Sequence, residues 1–173
     1  INCDYQVLGE ILERATGQDF MRFADDELFS KIGAEAYMWQ DASGNYHTYS
    51  GLDMTANDFL EFGKFLVNDN QTILSDDYRQ EILTRSGTTR TYNLGFWYGG
   101  GLVTARGADG QGISMDNEHK VVVIRNSLYY VTSQDRVLDV TTSIPTVPLT
   151  LPALAGGSND FDFTEVLNRL YSE

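Results

Sequence analysis

Gly107 and Gly110 stand three residues apart in the stretch Val103-Thr104-Ala105-Arg106-Gly107-Ala108-Asp109-Gly110-Gln111-Gly112-Ile113-Ser114-Met115, with a cation, Arg106, directly before the pair and an amide, Gln111, directly after it. Glycine has no Cβ, so the chain can turn sharply there and another group can come close to the main chain. The pattern is strand, turn and strand between two short hydrophobic runs. It reads either as an ordinary hairpin bend or as a ribbon that another group approaches.

Metal and thiol chemistry are poorly provided for. Cys3 is the only cysteine, so neither an intrachain disulfide nor a thiolate metal cluster can form within this chain. The two histidines, His47 and His119, lie far apart in polar, loop-like stretches, and a metal site built from them would need carboxylates as well. No metal or cofactor is expected.

A formal net charge of -13 repels nucleic acid and anionic lipid surfaces, which argues against a polyanion-binding function. No apolar run reaches the roughly 18 residues that a membrane span needs. At 173 residues, with 42% apolar and 12% aromatic residues, the chain is long enough for one full domain with its own core.

The elements that would position the ribbon can be read in order. Tyr5, Leu8, Ile11, Leu12 and Ala15 recur at helical spacing, with Asn2, Cys3 and Asp4 ahead of them including two good capping types and Gly17 placed to end the helix. Phe20, Phe23, Ala24 and Leu28 mark a second helix, closed by Gly33. From Ala34 to Leu52 the periodicity fails but aromatics persist: Tyr37, Trp39, Tyr46 and Tyr49 surround a turn at Asp41-Ala42-Ser43-Gly44-Asn45. Such a segment either folds against the body or lines a pocket.

Thr55-Ala56-Asn57-Asp58 is a helix start, a Thr cap with an acid three residues on, followed by Phe59, Phe62, Gly63 and Leu66 on one stripe. Ser75-Asp76-Asp77 opens a further helix reaching Leu83, its acids at the positive end of the dipole. After Gly87 the period changes to two. Tyr92 to Tyr98, Leu102 to Ala105, Gly112 to Met115 and Val121 to Arg125 read as four strands, the last pair joined by a turn at Asp116 to Lys120. The unbroken Val121-Val122-Val123-Ile124 run predicts a strand buried on both faces. Residues 141–159, with three prolines and Gly156-Gly157, read as a linker-like crossing, and Asp160 to Tyr171 as a last helix. The expected class is α/β (α+β), with a mostly helical portion carrying the aromatic loop over 1–90 and an antiparallel sheet with a C-terminal helix over 91–173.

Asn2-Cys3-Asp4-Tyr5-Gln6-Val7-Leu8-Gly9 with Ala15-Thr16-Gly17 resembles the segment of penicillin-recognising serine hydrolases in which a catalytic Tyr-x-Asn leads into Tyr-x-Leu-Leu-Gly and a helix ending Thr-Gly. Gly33-Ala34-Glu35-Ala36-Tyr37 with Asp41-Ala42-Ser43-Gly44, then Gly51-Leu52-Asp53-Met54-Thr55-Ala56-Asn57-Asp58-Phe59 with Phe62-Gly63, then Arg106 to Gln111 agree in order and spacing. Together they are most similar to the 6-aminohexanoate-dimer hydrolase and family VIII carboxylesterase branch of the β-lactamase-like group. The resemblance covers most of residues 1–126 and the final helix.

It implies a β-lactamase/transpeptidase-like fold, an antiparallel sheet flanked by helices plus a helical subdomain. It also implies cleavage of a small ester or amide through an acyl-serine intermediate. That chemistry needs a Ser activated by a Lys one helical turn later, a proton-shuttling Tyr, and fixed donors for the oxyanion. None of the serines has Lys three residues on, and the Tyr would stand just before Ile1. The expectation is therefore a C-terminal portion, whose nucleophile lies in an N-terminal part of the same polypeptide or in a cleaved companion chain. By resemblance, Asn2 is the last residue of Tyr-x-Asn and faces the substrate, although Asn is equally a good helix cap. The N–H of Ala108 would be an oxyanion donor. Tyr37, Trp39, Arg106, Gly107 and Gln111 would bind substrate, with Ala105-Arg106-Gly107 standing where the family has Lys-Thr-Gly. The rival expectation is a catalytically inactive binding protein on the same scaffold.

Overall fold

The computed structural model describes residues 2–68, 70–84, 91–107, 111–126, 139–141 and 148–150. The helix expected over 160–171 lies outside the described residues. The chain forms two compact units, Ile1–Phe62 and Gly63–Glu173.

The first unit opens with α1 (Asn2–Thr16). Asn2 and Asp4, the two capping types read ahead of the helix, lie with Cys3 in its first turn instead. Gly17, at φ +68°, ends it and donates its N–H to Glu13 O at 2.8 Å. The helix does not bury the stripe that periodicity picks out: Leu8 and Ile11 are 56% and 53% exposed, while Gly9 is buried. Polar tethers choose the inward face. Gln6 Nε2 donates to Tyr46 O and Thr48 Oγ1 to Tyr5 O, each at 2.8 Å, and the absent side chain of Gly9 leaves room for Thr48.

Asp19 caps α2 (Phe20–Ala24) by accepting the Arg22 N–H at 3.0 Å. The helix then runs through one π turn, Asp25–Phe29, into α3 (Ser30–Ile32), with Gly33 in the left-handed region at φ +72°. The expected single helix is thus interrupted. Ser30 ties back to Asp25 through both its N–H and its hydroxyl, which supports the wider turn.

β1 (Tyr37–Met38) and β2 (Leu52–Asp53) pair antiparallel, Tyr37 opposite Asp53 and Met38 opposite Leu52. The ladder continues through Trp39 N–H to Gly51 O at 3.0 Å, and Gln40 bridges to Tyr46. Between them Asp41 builds the expected turn: Oδ1 accepts the N–H groups of Ser43 and Asn45, and Oδ2 accepts the Asn45 amide. These bonds, the Asn45 amide first, hold the Asp41 carboxyl below its ordinary pKa.

α4 (Ala56–Val67) begins at the foreseen Thr55 cap, whose Oγ1 accepts the Asp58 N–H at 3.2 Å. Asp58 accepts the Thr55 hydroxyl and the main-chain N–H of Glu35, and these bonds, Thr55 first, lower its pKa. Its carboxylate therefore joins the start of the aromatic segment to the start of α4. Folding favours the ionised form, so this stabilisation is complete above the free-Asp value of 3.8 and is lost as pH falls through the lower folded value. Asp58→Asn is expected to melt below the parent at neutral pH and level with it in strong acid. A melting difference that stays constant across that range in thermal unfolding scans contradicts the assignment.

In the second unit, Ser75 Oγ caps α5 (Asp76–Thr84) by accepting the Tyr78 N–H at 3.3 Å. A five-stranded antiparallel sheet follows in the order β3 (Tyr92–Asn93), β4 (Phe96–Gly99), β5 (Leu102–Arg106), β6 (Gly112–Asp116), β7 (Val121–Arg125). The single strand expected over Tyr92 to Tyr98 is split into a hairpin by Leu94 and Gly95, both at positive φ (50° and 88°), the geometry of a primed two-residue turn. Val122, Val123 and Ile124 are all 0% exposed, the two-faced burial expected of that run. Asp116 ends β6 and builds the next turn, accepting the N–H groups of Glu118 and His119. Within 141–159 the linker reading is corrected: β9 (Pro148–Thr150) pairs with β8 (Asp139–Thr141), Val140 opposite Leu149. Proline begins that strand, a position where its missing N–H is tolerated.

Candidate active site

β5 and β6 pair from Val103 opposite Met115 to Arg106 opposite Gly112, and the ladder extends by one more bond, Gly107 N–H to Gln111 O at 2.9 Å. The ribbon read from the sequence is therefore a paired hairpin whose last described bond joins Gly107 to Gln111. Strand alternation places Thr104, Ser114 and Val123 in one row across β5, β6 and β7, and Arg106, Gly112 and Arg125 in the next row of the same face. Arg106 and Gly107 are exposed at the strand end, and so is Gln111. A Cβ on Gly107 would stand 2.8 Å from Gln111 Cγ and 3.0 Å from its Cδ, so the absent side chain keeps the glutamine where it is.

The structure thus brings Arg106, Gly107 and Gln111 together in the second unit. Ala108 lies outside the described residues, as do Asp109 and Gly110. Asn2 is the first residue of α1, and its side chain also lies outside what is described. One feature of the ribbon escaped the sequence reading: the Ser114 hydroxyl, 1% exposed, has no hydrogen-bond partner among the described residues. Such an orphan costs about 1 to 3 kcal/mol, and a serine inside an apolar strand was the only available signal.

Tyr37 and Trp39 belong to the first unit. They lie on one face of the 37–53 ribbon, 71% and 61% exposed, with the Trp39 indole N–H bonded to Asp53 Oδ2 at 3.3 Å. Gly51, at φ +79°, lies under Trp39: a Cβ there would stand 3.0 Å from Trp39 Cβ and 3.1 Å from Cγ. Tyr46, by contrast, turns toward the helices, its hydroxyl 3.1 Å from Asp19 and its ring 6.1 Å from that of Phe20. Burial first, and then the Asp19 carboxylate, raises the Tyr46 pKa. Of the two alternatives for this aromatic segment, Tyr46 is folded against the body, whereas Tyr37 and Trp39 present their rings to solvent.

His119 Nδ1 lies 2.9 Å from Asp116 Oδ2 at the β6–β7 turn, and His47 stacks on Tyr49 at 5.8 Å. Among the described residues no group of three or more His, Cys, Asp or Glu side chains is arranged to hold a metal ion. Among those residues, too, no helix is long and apolar enough to cross a membrane.

A family model described as Beta-lactamase matches residues 2–139. The chain belongs to the Beta-lactamase family. Its helices and antiparallel sheet are the α/β (α+β) arrangement expected of that family, and the scaffold is of the serine-hydrolase type. No curated protein matches the sequence. Within the Beta-lactamase match fall α1, the aromatic ribbon and the β5–β6 hairpin, the three places where the sequence suggested site residues.

Proposed function

We propose that the chain is part of a serine hydrolase that cleaves small esters or amides through an acyl-serine, most like the 6-aminohexanoate-dimer hydrolase and family VIII carboxylesterase branch. The observation that carries the reading is the Beta-lactamase match across α1, the aromatic ribbon and the glycine-turned hairpin. The Ser-x-x-Lys pair and the catalytic Tyr are assigned to polypeptide outside these 173 residues, since no serine here has Lys three residues on.

In this reading the Ser oxygen attacks the substrate carbonyl as the Lys takes its proton. The carbonyl oxygen becomes an oxyanion, held by the N–H of Ala108 and by the N–H of the Ser itself. Collapse expels the alcohol or amine, which leaves with a proton, and water then frees the acid and restores the Ser. Arg106 and Gln111 bind the substrate beside the hairpin tip, where Gly107 lets it approach the strand. Tyr37 and Trp39 supply apolar contact at low entropic cost and select the acyl or amine side.

The test is a burst of nitrophenol from nitrophenyl acetate with the full-length protein. A burst equal to the enzyme concentration, followed by slower turnover, supports the acyl-serine; its absence refutes it. A second reading, an inactive binding protein on the same scaffold, is favoured by Ala105-Arg106-Gly107 standing where the family has Lys-Thr-Gly. The mass of the native protein separates the two, because the hydrolase requires a longer polypeptide or a companion chain bearing that pair. Asn2 gives a finer check. Asn2→Ala in the full-length hydrolase is expected to lower kcat at least about tenfold while lowering stability by no more than a helix-cap loss, about 1 kcal/mol. Unchanged turnover with reduced melting temperature would leave Asn2 a structural residue.

A further inference from the structure

The first unit holds a face from which the hydrolase reading takes only the rings of Tyr37 and Trp39, and whose carboxylate, Asp53, it leaves without a role. Tyr37 and Asp53 are directly opposite across β1 and β2, Trp39 lies two residues along on the same face, and its indole N–H is bonded to the Asp53 carboxylate. Both rings are mostly exposed, at 71% and 61%. Large rings held in water on one face are costly unless something stacks on them.

Charge identifies what that is. Residues 34–55 contain no Lys or Arg, and their acids are Glu35, Asp41 and Asp53. Asp41 is occupied by its own turn. The cations of this unit are on its helices, Arg14 with Glu10, Arg22 with Asp26 and Lys31 with Glu27, each paired one turn away. Asp53 meets no Lys or Arg among the described residues. A carboxylate without a cation, bonded to an indole and directly opposite a tyrosine in the ladder, complements a positive organic group. The ring faces attract such a group through their quadrupoles, and the carboxylate attracts it through its charge.

The face is also held in shape before any ligand arrives. Trp39 rests on Gly51, its neighbour His47 donates its N–H to Trp39 O at 2.9 Å, and the Asp41 turn and the Gln6 and Thr48 bonds to α1 brace the far end. Little ordering cost is left for binding to meet.

We infer that Tyr37, Trp39 and Asp53 form a recognition site for a small organic ammonium, of the quaternary or alkylamine class. The site stands whether or not the protein hydrolyses anything, and it is tested by equilibrium binding without turnover. An inactive protein can therefore pass the test and an active hydrolase can fail it. The probe is choline chloride titrated into the full chain at constant ionic strength, with the indole N–H resonances read by NMR. The sequence has two tryptophans, and Trp97→Phe assigns the Trp39 signal.

Choline is expected to shift the Trp39 indole resonance saturably, and 3,3-dimethyl-1-butanol, its uncharged carbon counterpart, is not. Asp53→Asn, which keeps an oxygen to accept the indole N–H, is expected to weaken choline binding about tenfold with the Trp39 resonance still dispersed. No shift with choline, an equal shift with the alcohol, or unchanged affinity in Asp53→Asn overturns the proposal.

Discussion

Valine in place of Gly63 is expected to destabilise the protein by about 3 kcal/mol, a fall in melting temperature of about 6 to 12 °C. Gly63 lies inside α4, where a glycine costs about 1 kcal/mol relative to alanine, so the position is occupied for a reason other than propensity. That reason is the sheet beneath it. A Cβ at Gly63 would come within 2.7 Å of Ile113 Cδ1 and closer still to a Val122 methyl, and both of those residues are 0% exposed. A side chain that cannot move aside must be met by shifting the helix off β6 and β7. The clash outweighs the propensity gain, and Gly63→Ala is expected to be destabilised as well, by less. Thermal unfolding followed by circular dichroism checks both; an alanine variant more stable than the parent would show that α4 does not press on the sheet at this residue.

The second large effect is on chemistry. Gly107→Val in the full-length protein is expected to abolish the nitrophenol burst, a loss of at least the roughly 100- to 1000-fold that removal of one oxyanion donor costs. Its stability is expected to change by less than about 0.5 kcal/mol, because Gly107 is exposed and its nearest neighbour is the exposed side chain of Gln111. The valine methyls would displace that glutamine and block approach to the strand. Ala108→Ser is expected to keep the burst, since only the main-chain N–H of that residue is used. Equal bursts from Gly107→Val and the parent would make the hairpin a plain turn.

Where local chemistry and tertiary packing agree, the sequence could be read. The Thr55 cap, the Ser75 cap, the Asp41 turn and the Val121–Arg125 strand each follow from short-range rules, and each is where those rules put it. The readings that failed are those in which a longer-range partner decides. Leu94 takes a positive φ because β3 and β4 must pair across it, although leucine is not a residue that announces a turn. The π turn at Asp25–Phe29 is stabilised by Ser30 reaching back to Asp25, which no hydrophobic period encodes. Leu8 and Ile11 fit a buried stripe, yet α1 is oriented by Gln6, Gly9 and Thr48.

The candidate site was legible to a different degree in each unit. The Gly107 to Gln111 closure follows from glycine spacing and is met by a hydrogen bond at 2.9 Å. The exposure of Tyr37 and Trp39 could not be derived, since aromatic residues in a loop are more often packed than presented. What the sequence lacked was any sign that Asp53 faces them. That pairing arises only when β2 returns beside β1 across the Asp41 turn.

The most direct measurement of the hydrolase account is peptide mapping of the full-length protein after brief reaction with nitrophenyl acetate and acid quenching. The account predicts a single acetyl group on the serine of a Ser-x-x-Lys sequence, in the same polypeptide as these residues or in a chain that copurifies with them, and its loss in Gly107→Val. No acetylated serine, or acetyl groups scattered over surface lysines in the parent and the variant alike, would contradict it.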